Sequence, residues 1–314
     1  MKRNPEKALS GLVVATGISS VVSQLLIIRE YLTQFQGNEY VIALIFFTWL
    51  LFGGCGTLLS RLLPDRIFRA DTGKLAGLSL VAAALPVLTL LAIRILRDVV
   101  FVTGASTGFY ATFGFICFTL GPYGILVGFL LPYSLAVLRA HRPEYAAAQV
   151  YILDNIGDCA GGALFAFVLV ILVTPLKAVA LASGLLALAA CNLDRFSDRS
   201  VLKKMTAALA ATGVLAAGIY WETSSLRPPT GRLAWYQESK HGRVTVIEDR
   251  DQATIFNDGV PLTSSRNIAA AEAAIHYPMS QTEKPGTVLL ISAGSGMLTE
   301  VSSGRTGGSP IPSS

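Results

Sequence analysis

Charged side chains are scarce in this 314-residue chain: Asp, Glu, Lys and Arg together make up 14% of it, against about 25% in soluble domains. With 52% hydrophobic residues and a mean hydropathy of +0.56, a wholly water-soluble protein is excluded, and much of the chain must lie in lipid. Cysteine is rare as well. Cys55, Cys117, Cys159 and Cys191 are scattered through apolar runs without a CxxC pair. They are read as buried packing residues with no metal or disulfide role. The formal charge of +5 is modest, and the basic residues sit mainly in short connections between apolar runs. That distribution orients a membrane protein and does not make a nucleic-acid surface. No A-x-A-like cleavage site follows the basic start MKRNPEKALS, so the first apolar run is expected to be kept as a span.

What is present is a series of long apolar runs ending near Trp221. A crossing helix needs about 20 such residues. The runs cover roughly 9–31, 40–62, 75–97, 109–138, 146–173, 176–191 and 202–220. Gly121-Pro122 and Pro132 are placed to break the overlong fourth run, so seven spans are expected, give or take one, within a multi-span domain over 1–221. Lys2, Arg3 and Lys7 precede the first span, and Arg61, Arg66, Arg69 and Lys74 follow the second. Arg139 and Arg142 follow the fourth, and Arg195, Arg199, Lys203 and Lys204 precede the last. Seven single crossings then place the amino terminus in the cytoplasm and the remainder outside. A cytoplasmic soluble tail needs an even count, for instance if 99–138 crosses twice.

Ionisable residues within spans are functional candidates. Gln24, Arg29 and Glu30 close the first span. The adjacent Arg29 and Glu30 point in different directions on a helix, which suits pairing with other segments or an interfacial anchor. A sharper cluster lies in YILDNIGDCAGG, residues 151–162. Asp154 and Asp158 are four apart and share a helix face beside Asn155, while Gly157 and Gly161 form a small-xxx-small contact surface. The two carboxylates could hold a cation, a polyamine amine or a proton; equally, they could pair with Arg29 or Arg94 and hold the bundle together.

After Trp221 the pattern changes. GRVTVIE, the turn DRDQ and ATIF read as antiparallel strands, Asn257-Asp258-Gly259 is a hairpin signal, and NIAAAEAAIH over 267–276 reads as a helix. TVLLISAGSG over 287–296 reads as a strand ending in a glycine loop, with the helix-like MLTEV following. Strand, glycine loop and helix make a nucleotide or S-adenosyl site, because glycines admit the ligand to the backbone and a helix N-terminus offers free N–H groups. An ordinary βα turn has the same appearance.

Taken in order, Glu238, Ser239, Gly242, Arg243, Val244 and Val246, then Gly259, then Glu272, His276 and Pro278, then Gly294, Gly296 and Glu300 resemble the start of the spermidine synthase family, the polyamine aminopropyltransferases. The resemblance covers about 235–301. The Q-x4-RE, G-N-E and D-N-x-G-x3-GG elements are similar to those of the family's membrane-fused, multi-span branch. The resemblance implies an α-helical polytopic membrane bundle, a small β unit with a helix over 222–284, and the start of a Rossmann-like α/β domain over 285–301. It also implies aminopropyl transfer from decarboxylated S-adenosylmethionine to a polyamine such as putrescine, with Gly294, Ser295 and Gly296 toward the cofactor and Glu272 and His276 toward the amine. An i,i+4 Glu–His pair is the plainer reading of the latter two.

The departures are specific. His241 and Gly242 stand where the family has Tyr-Gln, Ala270 and Ala271 where it has Tyr-His, and Ser295 or a neighbour replaces a loop aspartate. The family's general-base aspartate and ribose-binding acid have no counterpart, so no catalytic residue is assigned. Residues 302–314, SSGRTGGSPIPSS, are expected to be a disordered tail. The chain is expected to be a carboxyl-terminally truncated member, inactive alone and binding no cofactor tightly. Expected partners are the lipid bilayer and a polyamine or other small amine, with homo-oligomerisation left open. The expected location is the cell (inner) membrane, with the soluble tail cytoplasmic. The rival reading is a membrane transporter or scaffold using Asp154 and Asp158; a methyltransferase-like S-adenosylmethionine binder ranks below both.

Overall fold

A computed structural model describes residues 5–35, 39–62, 70–102, 107–226, 230–239, 241–265 and 268–281, with positions 228, 287, 289 and 291. The chain divides into two compact units. One comprises Met1–Arg227 and Glu238–His241, the other Pro228–Gln237 and Gly242–Ser314.

The first unit is helical: α1 (Pro5–Gln34), α2 (Glu39–Leu62), α3 (Thr72–Val100), α4 (Phe109–His141), α5 (Ala147–Leu172), α6 (Pro175–Asp194) and α7 (Val201–Tyr220). All seven are long and apolar enough to cross a membrane. At 1.5 Å rise per residue, about twenty residues already reach the ~30 Å hydrocarbon thickness. The chain therefore has the build of a multi-pass membrane protein. Leu50, Leu62, Val99, Phe118 and Leu188 are largely exposed on this unit, a liability in water but an ordinary surface in lipid.

Pro122 and Pro132 do not break the fourth span. Both lie inside α4, which runs unbroken from Phe109 to His141. Proline forfeits its own N–H bond and crowds the carbonyl four residues back, but neighbouring helices can compensate for that inside a membrane bundle. Residues 109–138 therefore form one crossing, and the double crossing that would give an even count is not seen among the described residues. α5 absorbs its extra length in a π-helical turn at Phe165–Leu169.

Small residues decide which helices touch. Gly53 and Gly56 of α2 meet the backbone of Gly128 and Ile125 in α4, and Phe52 lies against Gly121 with its ring and against Gly124 with its Cβ. In the same way Gly157 lies against the Val14 carbonyl and Gly161 against Ile18. The expected small-xxx-small surface of α5 is thus occupied by α1. In lipid such contacts are driven by packing and not by water exclusion.

The core is built mainly from α1, α3 and α6, which bury Leu12, Val22, Ile27, Leu75, Val87, Leu90, Ile93, Leu176 and Val179. Toward one end, the rings of Tyr31, Phe35, Phe101 and Phe115 meet at centroid separations of 5.5–6.4 Å, several of them edge-on, and the Tyr31 hydroxyl bonds to that of Thr119. The cysteines are all free, but Cys55 and Cys159 are exposed and only Cys117 and Cys191 are half-buried. The expectation of four buried packing residues is corrected accordingly: α2 and α5 present those sulfurs on their outward faces.

A four-stranded sheet has the order β1 (Arg232–Ser239), β2 (Gly242–Asp249), β3 (Gln252–Asn257) and β4 (Val260–Ser264); all of it lies in the second unit except Glu238 and Ser239, the last two residues of β1. β2 and β3 pair antiparallel, with Val244 opposite Asn257 and Val246 opposite Ile255. The β3–β4 pairing places Asn257 opposite Val260, with an irregularity between Ile255 and Phe256. In the turn between them Asp258 has φ 47° and Gly259 φ 76°, the two left-handed residues a type I′ hairpin requires. β4 is not among the strands expected above; it carries Pro261, and proline is tolerated on an edge. A helix, α8 (Ile268–Met279), follows, as expected over 267–276. The Rossmann-like start is not seen: Thr287, Leu289 and Ile291 are described and carry no strand assignment, and the rest of 285–301 and the expected tail over 302–314 lie outside the described residues.

The glycine contacts make a prediction. Gly128→Val should lower stability by about 1–3 kcal/mol through overpacking, whereas Gly114→Val, at a position with open space around it, should leave the thermal unfolding midpoint of the detergent-solubilised protein close to that of the wild type.

Candidate functional site

The charged groups of the bundle sort into two constellations. The first centres on Arg94, in the last third of α3 and 3% exposed. Its Nη2 donates to Glu30 Oε2 at 2.8 Å. Its Nη1 donates to Glu222 Oε1 at 3.1 Å and to Ser225 Oγ at 2.8 Å. The other Glu222 oxygen accepts the backbone N–H groups of Leu176, at 2.9 Å, and Lys177, at 3.3 Å. These belong to the first turn of α6, which begins at Pro175, where unpaired N–H groups and the helix dipole favour a negative charge. Gln34 Nε2 donates to Glu30 Oε1 at 3.2 Å. One guanidinium thus joins α1, α3, the start of α6 and the turn after α7.

Arg29 is turned away from this network, as its adjacency to Glu30 predicts. Within the same unit, its Nη2 donates to Glu238 Oε2 at 2.6 Å and to the Ser239 carbonyl at 2.5 Å. Both basic partners considered for Asp154 and Asp158 are therefore engaged elsewhere: Arg94 with Glu30 and Glu222, Arg29 with Glu238.

The second constellation is the aspartate pair. Asp154 and Asp158 lie on the face of α5 that meets α1. A Cβ at Gly17 would stand 2.5 Å from the Asp154 carbonyl and 3.1 Å from Asp158 Oδ1, so the absence of a side chain there lets α1 approach the pair. Both residues are half-buried. Among the described residues neither carboxylate has an ion-pair partner. Asn155 does not join them: it is exposed, and its Nδ2 donates to the Tyr151 carbonyl at 2.7 Å one turn back on α5. Two carboxylates without a cation, beside a small-residue seam, can take up a proton or a protonated amine.

Glu222 was missed by sequence reasoning, which used it as a domain boundary. The signal was a lone acidic residue directly after the last apolar run, but only the fold brings it to Arg94.

In the second unit, the motif residues around Gly242 serve the sheet. Gly242 has φ 146° with the Asp258 carboxylate against its α-carbon. Arg243 N–H donates to Asp258 Oδ1 at 2.8 Å, and its guanidinium lies 5.8 Å from the centre of the Tyr236 ring. Glu272 and His276 fall within α8, but their side chains, and the whole of Gly294, Ser295 and Gly296, lie outside the described residues.

Breaking the Arg94 network has a predictable cost. Arg94→Met leaves two buried carboxylates uncompensated and should destabilise the protein by about 3–5 kcal/mol, read as a loss of folded protein in thermal unfolding. Glu30→Gln combined with Arg94→Met should recover part of that loss.

Comparison with known proteins adds no family: no family model, no curated protein and no solved structure matches the chain.

Proposed function

We propose that the chain is a membrane-embedded spermidine synthase-like protein. Its bundle carries a carboxyl-terminal part that recognises a polyamine such as putrescine and belongs to the chemistry of aminopropyl transfer from decarboxylated S-adenosylmethionine. The observation that carries this reading is the order of elements after the last crossing helix. An antiparallel sheet with a I′ hairpin at Asn257–Val260 comes first, then α8, on which Glu272 and His276 stand one turn apart. The motif residues supporting it span about 235–301, and a carboxylate with a hydrogen-bonding imidazole is a suitable pair for a protonated amine.

A second reading is favoured by the unpaired Asp154 and Asp158: a transporter that moves a protonated amine or a proton through the bundle. Unpaired ionisable groups at membrane depth mark such pathways. The two readings place the soluble part differently. The synthase chemistry wants it in the cytoplasm, whereas seven crossings with basic connections inside put it on the opposite side.

Both are tested on one purified chain by saturation-transfer NMR with putrescine. Under the first reading, Glu272→Gln with His276→Ala should weaken putrescine binding about tenfold or more, the loss expected for a charge-assisted bond, and Asp154→Asn with Asp158→Asn should leave it unchanged. The reverse pattern, together with lost amine or proton flux in proteoliposomes, would establish the transporter. Putrescine binding untouched by either pair of substitutions would remove both.

A further inference from the structure

A cavity of about 520 Å³ opens on the side of the bundle between α2, α3 and α4. Its walls are Leu59, Leu78, Val81, Ile125, Leu126 and Phe129, and of these Leu59 and Val81 are exposed on the outer, lipid-facing surface. The cavity is therefore a groove in the lipid-facing surface and not an internal void. Two cations line it as well: Lys74, in the first turn of α3, and Arg199, in the connection between α6 and α7. No acidic side chain of the described residues lines it. Among the described residues neither Lys74 nor Arg199 has an ion-pair partner. Asp71, three residues before Lys74, turns its carboxylate to the backbone N–H groups of Gly73 and Lys74 and caps α3.

Arg199 reaches the groove because α3 gives it a lane. A Cβ at Gly73 would stand 2.9 Å from Arg199 Nε, and one at Gly77 2.7 Å from Nη1. The guanidinium therefore lies flat along two glycines one turn apart. Both cations sit at the end of the bundle that carries the basic connections, the cytoplasmic end by the positive-inside rule.

We propose that this groove binds an anionic phospholipid, with the headgroup phosphate between Lys74 and Arg199 and one acyl chain along the apolar wall. A guanidinium presents planar donors that match phosphate oxygens, and an ammonium adds a second point of charge. Basic pockets between crossing helices on the cytoplasmic side are suited to anionic headgroups. Inorganic phosphate would satisfy the cations but leave the apolar wall uncovered. Phosphatidylcholine would cover the wall but bring its own cation against Arg199.

The test is native mass spectrometry of the full chain released from detergent micelles doped with phosphatidylglycerol or phosphatidylcholine. The wild type should retain phosphatidylglycerol in preference to phosphatidylcholine. Lys74→Gln with Arg199→Gln should reduce phosphatidylglycerol retention roughly tenfold or more, and Lys74→Arg with Arg199→Lys, which keeps both charges, should retain most of it. Val81→Trp, which fills the groove and leaves the cations in place, should also lower retention. Equal retention of the two lipids, full retention by the charge-neutral variant, or no effect of Val81→Trp would overturn the proposal. Circular dichroism of each variant separates lost lipid from lost fold, and the charge-keeping variant supplies the comparison if the neutral one unfolds.

Discussion

One guanidinium in an apolar bundle has to be neutralised, and the arrangement of the crossing helices follows from how Arg94 achieves it. Two carboxylates from segments far apart in sequence, Glu30 and Glu222, converge on it, and the second also caps the start of α6. A buried ion pair is weak evidence for net stability, since desolvation offsets much of the attraction, yet removing one partner is costly. Its consequence is therefore specificity of arrangement. α7 buries only Ala211, Leu215 and Gly218 and has little apolar packing to fix its place, so the bonds of Glu222 just beyond its end tie it to α3 and α6.

The same bundle treats its other acidic residues in the opposite way. Asp154 and Asp158 sit where α1 and α5 approach through glycines, and Arg29 and Arg94, which could have neutralised them, are used elsewhere. Paired charge holds one end of the bundle, and unpaired charge stands ready for a proton or an amine at the α1–α5 seam. The basic residues are divided similarly. Arg142 pairs with Glu6 at 3.2 Å, while Lys74 and Arg199 face an apolar groove that no carboxylate of the described residues lines. The transporter reading and the lipid groove rest on these groups, for which the described residues supply no partner.

Much of the architecture was legible because its causes are local or one-dimensional. Seven apolar runs of crossing length predict seven helices, and all seven are present; Asn257-Asp258-Gly259 predicts a I′ hairpin through the two residues that must adopt positive φ. The misreadings have physical reasons. Pro122 and Pro132 look like breaks by propensity, but helix–helix contacts override propensity inside a packed bundle. Cys55 and Cys159 look like core residues by composition, yet in lipid an apolar residue has no preference for the inside.

The amino-acid order alone determined that much of the chain suits a bilayer, that about seven runs are long enough to cross it, where the hairpin turns and which ionisable residues fall within those runs. Each of these follows from run length, periodicity or a backbone requirement at single positions. The tertiary structure alone decided the partners: that Arg94 belongs to Glu30 and Glu222 and not to Asp154, that α5 lays its glycines on α1, and that Arg199 reaches across Gly73 and Gly77. Pairing depends on the direction each side chain takes from its helix and on which helices lie adjacent, and neither is contained in the spacing of residues along one strand of sequence.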